Sequence, residues 1–200
     1  MTAIAMAEQE RRQTVTVLFI DIVGFTSLID DLDCAEVRAL QRDYFGTVSE
    51  VVRAGGGVVE KYVGDAVMAV FGTDATGFGP EAAASAVRVG LSVQEALRGQ
   101  LLAGRFAVRT RVGVATGDVI VDVAATRDFG HGMISGNVVA TAARLQAYAP
   151  HDTVVVCSST RSVTDESIAY QELPPVRVAG KPYPLDLFRA LEPQRVLCVA

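Results

Sequence analysis

Short apolar runs, broken by Gly, Asp and Pro, set the pattern of this chain, and strand-like and helix-like periods alternate along it. Thr14–Ile20 is β-branched and aromatic, the composition of a central strand. Thr26 or Ser27 is placed to cap the next helix, and over Ala35–Ala54 the residues Val37, Leu40, Tyr44, Phe45, Val48 and Val51/Val52 recur at helical spacing. Gly55-Gly56-Gly57 ends that helix. Val58–Tyr62 and Ala66–Phe71 predict two strands of a hairpin turning at Val63-Gly64-Asp65. A Gly- and Thr-rich loop, Thr73–Gly79, leads to Pro80, which suits the first turn of a helix over Glu81–Leu102 with Val87, Leu91 and Leu97 on its inner face. Arg109–Thr116 and Val119–Val123 predict another strand pair about Gly117-Asp118, with a loop over Ala124–Ser135 and a helix over Asn137–Tyr148 after it. Short strands at Val154–Cys157, around Arg177 and at Leu185–Arg189 complete the order. Such a sequence of elements predicts an α+β domain in which helices cover one face of a largely antiparallel sheet.

The totals narrow the function without naming it. Two hundred residues, half of them hydrophobic and a fifth charged, make one globular domain with a substantial core. We divide the chain into a lead-in over residues 1–13, a domain over 14–191 and a tail over 192–200. Its formal net charge of −5, without a dense Lys/Arg stripe, argues against a nucleic-acid binder. Every apolar stretch is interrupted before membrane-spanning length, and Met1–Gln13 lacks the basic start and apolar run of a signal peptide, so a cytoplasmic domain without membrane insertion is expected. Cys34, Cys157 and Cys198 lie far apart without metal-ligand spacing, consistent with incidental thiols in a reducing compartment. The isolated His131 and His151 carry no zinc or nucleophile–base signature.

Two aspartates change the picture. Asp21 ends the apolar run Val15–Ile20 and opens Asp21-Ile22-Val23-Gly24-Phe25-Thr26, while Asp65 occupies the turn of Lys61-Tyr62-Val63-Gly64-Asp65-Ala66-Val67-Met68-Ala69. Singly, each reads as an ordinary turn residue. A carboxylate closing an apolar strand, however, needs a partner or a metal, and a second one in a neighbouring hairpin can converge with it. Oxygen ligands on rigid elements suit a hard ion, Mg²⁺ or Mn²⁺, shared with substrate phosphates.

Both segments resemble the metal-binding motifs of class III adenylate/guanylate cyclase catalytic domains, and the resemblance extends over about Gln13 to Leu191. It implies a ferredoxin-like core with additions. It also implies a site between two protomers in which Asp21, Asp65 and the Ile22 carbonyl hold two ions; Phe25 and Thr26 belong to the same motif at the substrate. In that family one ion helps the ribose 3′-hydroxyl lose its proton, and the other neutralises the triphosphate. Lys61, four residues before Asp65, matches a base-recognising lysine of adenylate-type enzymes, which points to ATP over GTP. Gly136-Asn137-Val138-Val139-Ala140-Thr141-Ala142-Ala143-Arg144-Leu145 resembles the family's G-D-x-V-N-x-A-A-R-L helix, so Arg144 matches the arginine that stabilises charge on the transferring phosphoryl group.

Three positions depart from the family pattern. Its ribose-positioning asparagine falls on Ala140, its second base-recognising residue on Met133, and its triphosphate-binding lysine on Ala179, with Arg177 or Lys181 as candidate substitutes. Loss of one such contact commonly slows an enzyme by ~10²–10³. The resemblance therefore supports two readings: a slow, Mn²⁺-favouring homodimeric adenylate cyclase, or a degenerate domain that binds nucleotide or dimerises, with itself or another cyclase domain, as a regulatory module. The hairpin lacks the G-G-D-E-F pattern of a diguanylate cyclase, which removes that reading.

Overall fold

A computed structural model describes residues 10–73, 79–122, 133–177 and 184–191, without the side chain of Met133. The chain begins with β1 (Glu10–Ile22), a short helix α1 (Phe25–Ile29) that the sequence pattern did not predict, α2 (Cys34–Ala54), β2 (Val58–Val63), β3 (Ala66–Phe71) and α3 (Pro80–Leu97). They are followed by β4 (Thr110–Asp122), β5 (Met133–Ser135), α4 (Asn137–Tyr148), β6 (Thr153–Val156), α5 (Ser158–Thr164), β7 (Tyr170–Val176) and β8 (Leu185–Ala190). One sheet runs β2-β3-β1-β4-β6-β8-β7, with β5 paired to β4 off that path. All described pairings are antiparallel except β4 with β6.

The core lies on both faces of this sheet, not on the single covered face that the element order suggested. Leu18, Ile20 and Ile22 pack with Leu40 and Tyr44 of α2 and Val87 of α3, whereas Val15, Val17 and Phe19 pack with Val138, Ala142 and Leu145 of α4. Alternation along β1 sends successive side chains to opposite faces, so a strand covered on both must be apolar throughout. That is why Val15–Ile20 has no polar face apart from Thr16, whose hydroxyl bonds Thr116 at 2.9 Å.

Four boundaries differ from the sequence expectation. Thr26 and Ser27 are inside α1, and Gly24, at φ 71°, precedes it; the longer helix α2 is capped instead by Asp33, whose side chain accepts from Ala35 and Glu36 while Glu36 reaches back in a capping box. Helix α3 ends at Leu97 and not Leu102, because Gly99 adopts φ 77° and the chain turns back through a Leu102–Phe106 bridge. Gly117-Asp118 is not a turn. Strand β4 runs straight through it, paired with Val15 and Thr14, and Asp118 is held by Thr14 Oγ1 at 2.7 Å and Arg12 at 2.6 Å. The expected loop before Asn137 includes strand β5, and α5 was not foreseen. Residues 74–78 and 123–132, which include His131 and much of the two expected loops, lie outside the described residues, as do Ala179, Lys181 and Cys198. Cys34 and Cys157 are free thiols. Among the described residues no helix is long and apolar enough to cross a membrane.

Candidate active site

Strand register brings the two aspartates together. The β1–β3 ladder runs to Ile20 opposite Val67, so the hairpin turn reaches the end of β1, and the Ile22 N–H donates to Asp65 Oδ2 at 3.2 Å. Gly64 makes this turn possible with φ 65°, a conformation that costs a residue with a side chain more. Helix α2 pins the hairpin from the side: Phe45 lies against Tyr62 with ring centroids 4.5 Å apart, and Ser49 shares a hydrogen bond with the Tyr62 hydroxyl at 2.9 Å.

The Asp21 and Asp65 side chains are within hydrogen-bonding contact, and Asp21 is pushed from 3.8 up to about 7. Burial is the largest cause, followed by the hydrogen bond to Asp65 and the charge of Asp65. Two groups pull the other way: Gln146, whose Nε2 donates to Asp21 Oδ2 at 2.9 Å, and the Arg111 guanidinium, directly across the β1–β4 ladder. Arg111 is held by Ala147 O at 3.4 Å and His151 Nε2 at 2.9 Å. Beneath the pair, the fully buried Tyr44 hydroxyl has no hydrogen-bond partner among the described residues, and burial and then the two aspartates hold its proton on. Nothing in the sequence linked Gln146, Arg111 or Tyr44 to this site: each is joined to the aspartates only by tertiary register.

Two carboxyl groups forced together, one of them pushed toward neutrality, form a donor set that a divalent cation would relieve. Among the described residues no group of three or more His, Cys, Asp or Glu could hold a metal ion. Further ligands would then be oxygens of the main chain, water or substrate, and the Ile22 carbonyl stands between the two aspartates in sequence. Ile22 itself is a core side chain.

The remaining expected residues are distributed around this centre. Lys61 is exposed on β2 just after a bulge that buries its neighbour Glu60. Thr26 is exposed on α1, whereas the Phe25 side chain is buried in the core, leaving only its main chain for a ligand. On α4, Asn137 and Ala140 are exposed and Arg144 is half-buried, while Val138, Ala142, Leu145 and Gln146 face the sheet. Arg144 and Gln146 are about 200° apart around the helix, so the residue that turns toward Asp21 is Gln146 and not Arg144. Met133 begins β5 at the ladder position opposite Asp122, and Arg177 is exposed just after β7.

The chain matches the model of the adenylate and guanylate cyclase catalytic domain over residues 7–190. Adenylate cyclase 1 of Rhizobium meliloti (strain 1021) is 28% identical over 186 residues, a match covering 90% of this chain and 28% of that protein. The chain thus spans less than a third of the length of this relative. The fold resembles the crystal structure of the adenylyl cyclase CyaB from P. aeruginosa, with a TM-score of 0.80 at 24% identity over 93% of this chain and 97% of that one. It also resembles the guanylate cyclase domain of RhGC from Catenaria anguillulae in complex with GTP, with a TM-score of 0.80 at 21% identity over 90% and 98% of the two chains. Fold, matched residues and the paired aspartates lead to one assignment: the chain belongs to the adenylate and guanylate cyclase catalytic domain family.

Proposed function

We propose that this domain converts ATP into cyclic AMP and pyrophosphate, slowly, at a site completed by a second copy of the chain. The observation that carries the reading is the contact between Asp21 and Asp65, two carboxyl groups kept close at the end of a buried strand. Bound Mg²⁺ or Mn²⁺ would supply acidification of the ribose 3′-hydroxyl and charge neutralisation at the phosphates. Asp21, Asp65 and the Ile22 carbonyl are the groups of this chain that would hold two such ions. In the reaction the 3′-oxygen attacks the α-phosphorus, the bond from that phosphorus to the β-bridging oxygen breaks, and the 3′-proton leaves to solvent with pyrophosphate departing.

Arg144 supports a two-chain site. It turns away from the aspartates of its own protomer, on the exposed side of α4 with Asn137 and Ala140, where a second copy could receive it. Its planar guanidinium would donate to the phosphoryl oxygens as charge develops. Lys61, an exposed donor on the strand leading to Asp65, is the candidate for adenine recognition, with Thr26 at the phosphates and Arg177 or Lys181 replacing the lysine missing at Ala179.

Ala140 favours a second reading, a regulatory module that binds nucleotide without turning it over. An exposed methyl group stands where the family pattern places the ribose-positioning asparagine, and a methyl group cannot hydrogen-bond. Incubating the purified chain with ATP or GTP and Mn²⁺, beside Asp21→Ala, separates the two. Cyclic AMP that disappears in the variant supports the enzyme; nucleotide binding with no cyclic product from an intact dimer supports the module.

A further inference from the structure

Gln146 belongs to none of the sequence motifs, yet it links helix α4 to the aspartate pair. Its side chain is nine-tenths buried, and its amide nitrogen donates to Asp21 Oδ2 at 2.9 Å. The root of that side chain is fixed. Where α4 crosses β4, Gly113 gives the helix backbone room: a Cβ there would stand 2.3 Å from both the Ala142 carbonyl and the Gln146 nitrogen. Gly113 in turn pairs with Phe19 on β1, two residues before Asp21. Donor and acceptor are therefore mounted on elements in direct backbone contact, and the amide meets the carboxylate in one orientation.

We propose that Gln146 is a positioning residue for the metal-binding carboxylate of Asp21, and that it ties this site to the helix carrying Arg144. The inference rests on the metal reading of Asp21 and Asp65. An amide suits the task because it engages one carboxylate oxygen as a neutral donor and leaves the other free, without adding charge to the site. Groups in this position beside a metal ligand typically govern affinity by ~10- to 100-fold.

The test is Mn²⁺ binding to the full chain without nucleotide, read by calorimetry and by the Mn²⁺ paramagnetic resonance signal. Wild type is compared with Gln146→Met, which keeps the shape and removes the donor, and with Gln146→Ser, a smaller side chain should Met fail to fold. Thermal unfolding in EDTA runs beside both. Mn²⁺ dissociation constants ~10-fold or more weaker, at a metal-free melting temperature near that of wild type, are the expected result. Variants that bind Mn²⁺ within twofold of wild type would overturn the role of Gln146 and leave the metal site standing. Wild-type protein that binds no Mn²⁺ would overturn both, together with the reading of the aspartates.

Discussion

Replacing Asp65 with Asn should stabilise the metal-free protein while abolishing its response to divalent ions. Asp21 is pushed from 3.8 up to about 7, so between those values the native state holds a proton that the unfolded chain has lost. This contribution to stability is full below the unfolded value and disappears as pH rises through about 7. At 1.36 kcal/mol per pH unit the interval bounds the effect at about 4 kcal/mol. Asp21 is partly exposed, and solvent screening reduces that to about 1–2 kcal/mol. Burial causes most of it and would persist; the hydrogen bond to Asp65 favours only the protonated Asp21, so at alkaline pH the relief that Asn brings is the loss of the Asp65 charge beside an ionised Asp21, roughly 1 kcal/mol. Asn retains an oxygen to accept from the Ile22 N–H, so the hairpin keeps its tie to β1. In EDTA at pH 8 the variant should melt about 2–4 °C above wild type, and the gap should narrow at pH 5, where Asp21 of the wild type is already protonated. Mn²⁺ should then raise wild type alone, by about 2.7 kcal/mol at a hundredfold excess over its dissociation constant. A variant equal to or less stable than wild type in EDTA at pH 8 would refute the claim that the two carboxylates oppose one another.

The packing and the proposed site carry further expected outcomes. Gly113→Ala should cost about 1–3 kcal/mol in urea unfolding, because the new methyl group meets helix backbone that cannot swing aside; an unchanged midpoint would mean that α4 lies further from β4. Asp33→Ala should lose about 1 kcal/mol by the same assay, since the N–H groups of Ala35 and Glu36 lose their acceptor. If the site is shared between two copies, Asp65→Ala and Arg144→Ala should each be inactive alone. Mixed in equal amounts and allowed to exchange, they should recover about a quarter of wild-type cyclic AMP production, because half the dimers carry one intact site of two. No recovery, with exchange verified, would place both residues in one chain's site.

How much of this was legible depended on the range of the interaction. Asp21 and Asp65 stood out because each breaks a local pattern, one closing an apolar strand and the other occupying a Gly-Asp turn. The helix over Asn137–Tyr148 matched because its inward residues recur at the helical period within twelve residues. Gly117-Asp118 misled for the complementary reason: two turn-forming residues read as a turn, but Thr14 and Arg12, about a hundred positions away, hold Asp118 in a continuous strand. The Gly99 stop that shortens α3 was present in the sequence, but the Ala- and Leu-rich stretch around it outweighed it.

The sequence by itself determined the family, the candidate metal ligands and most of the order of elements, because residue type and local spacing carry that information. Only the tertiary structure decided which groups surround the ligands. Gln146 reaches Asp21 across 125 positions, Arg111 stands beside it through strand register, and Tyr44 lies beneath it on helix α2. Such contacts arise where separate elements dock, and no periodicity within one element encodes which residue of another it will meet.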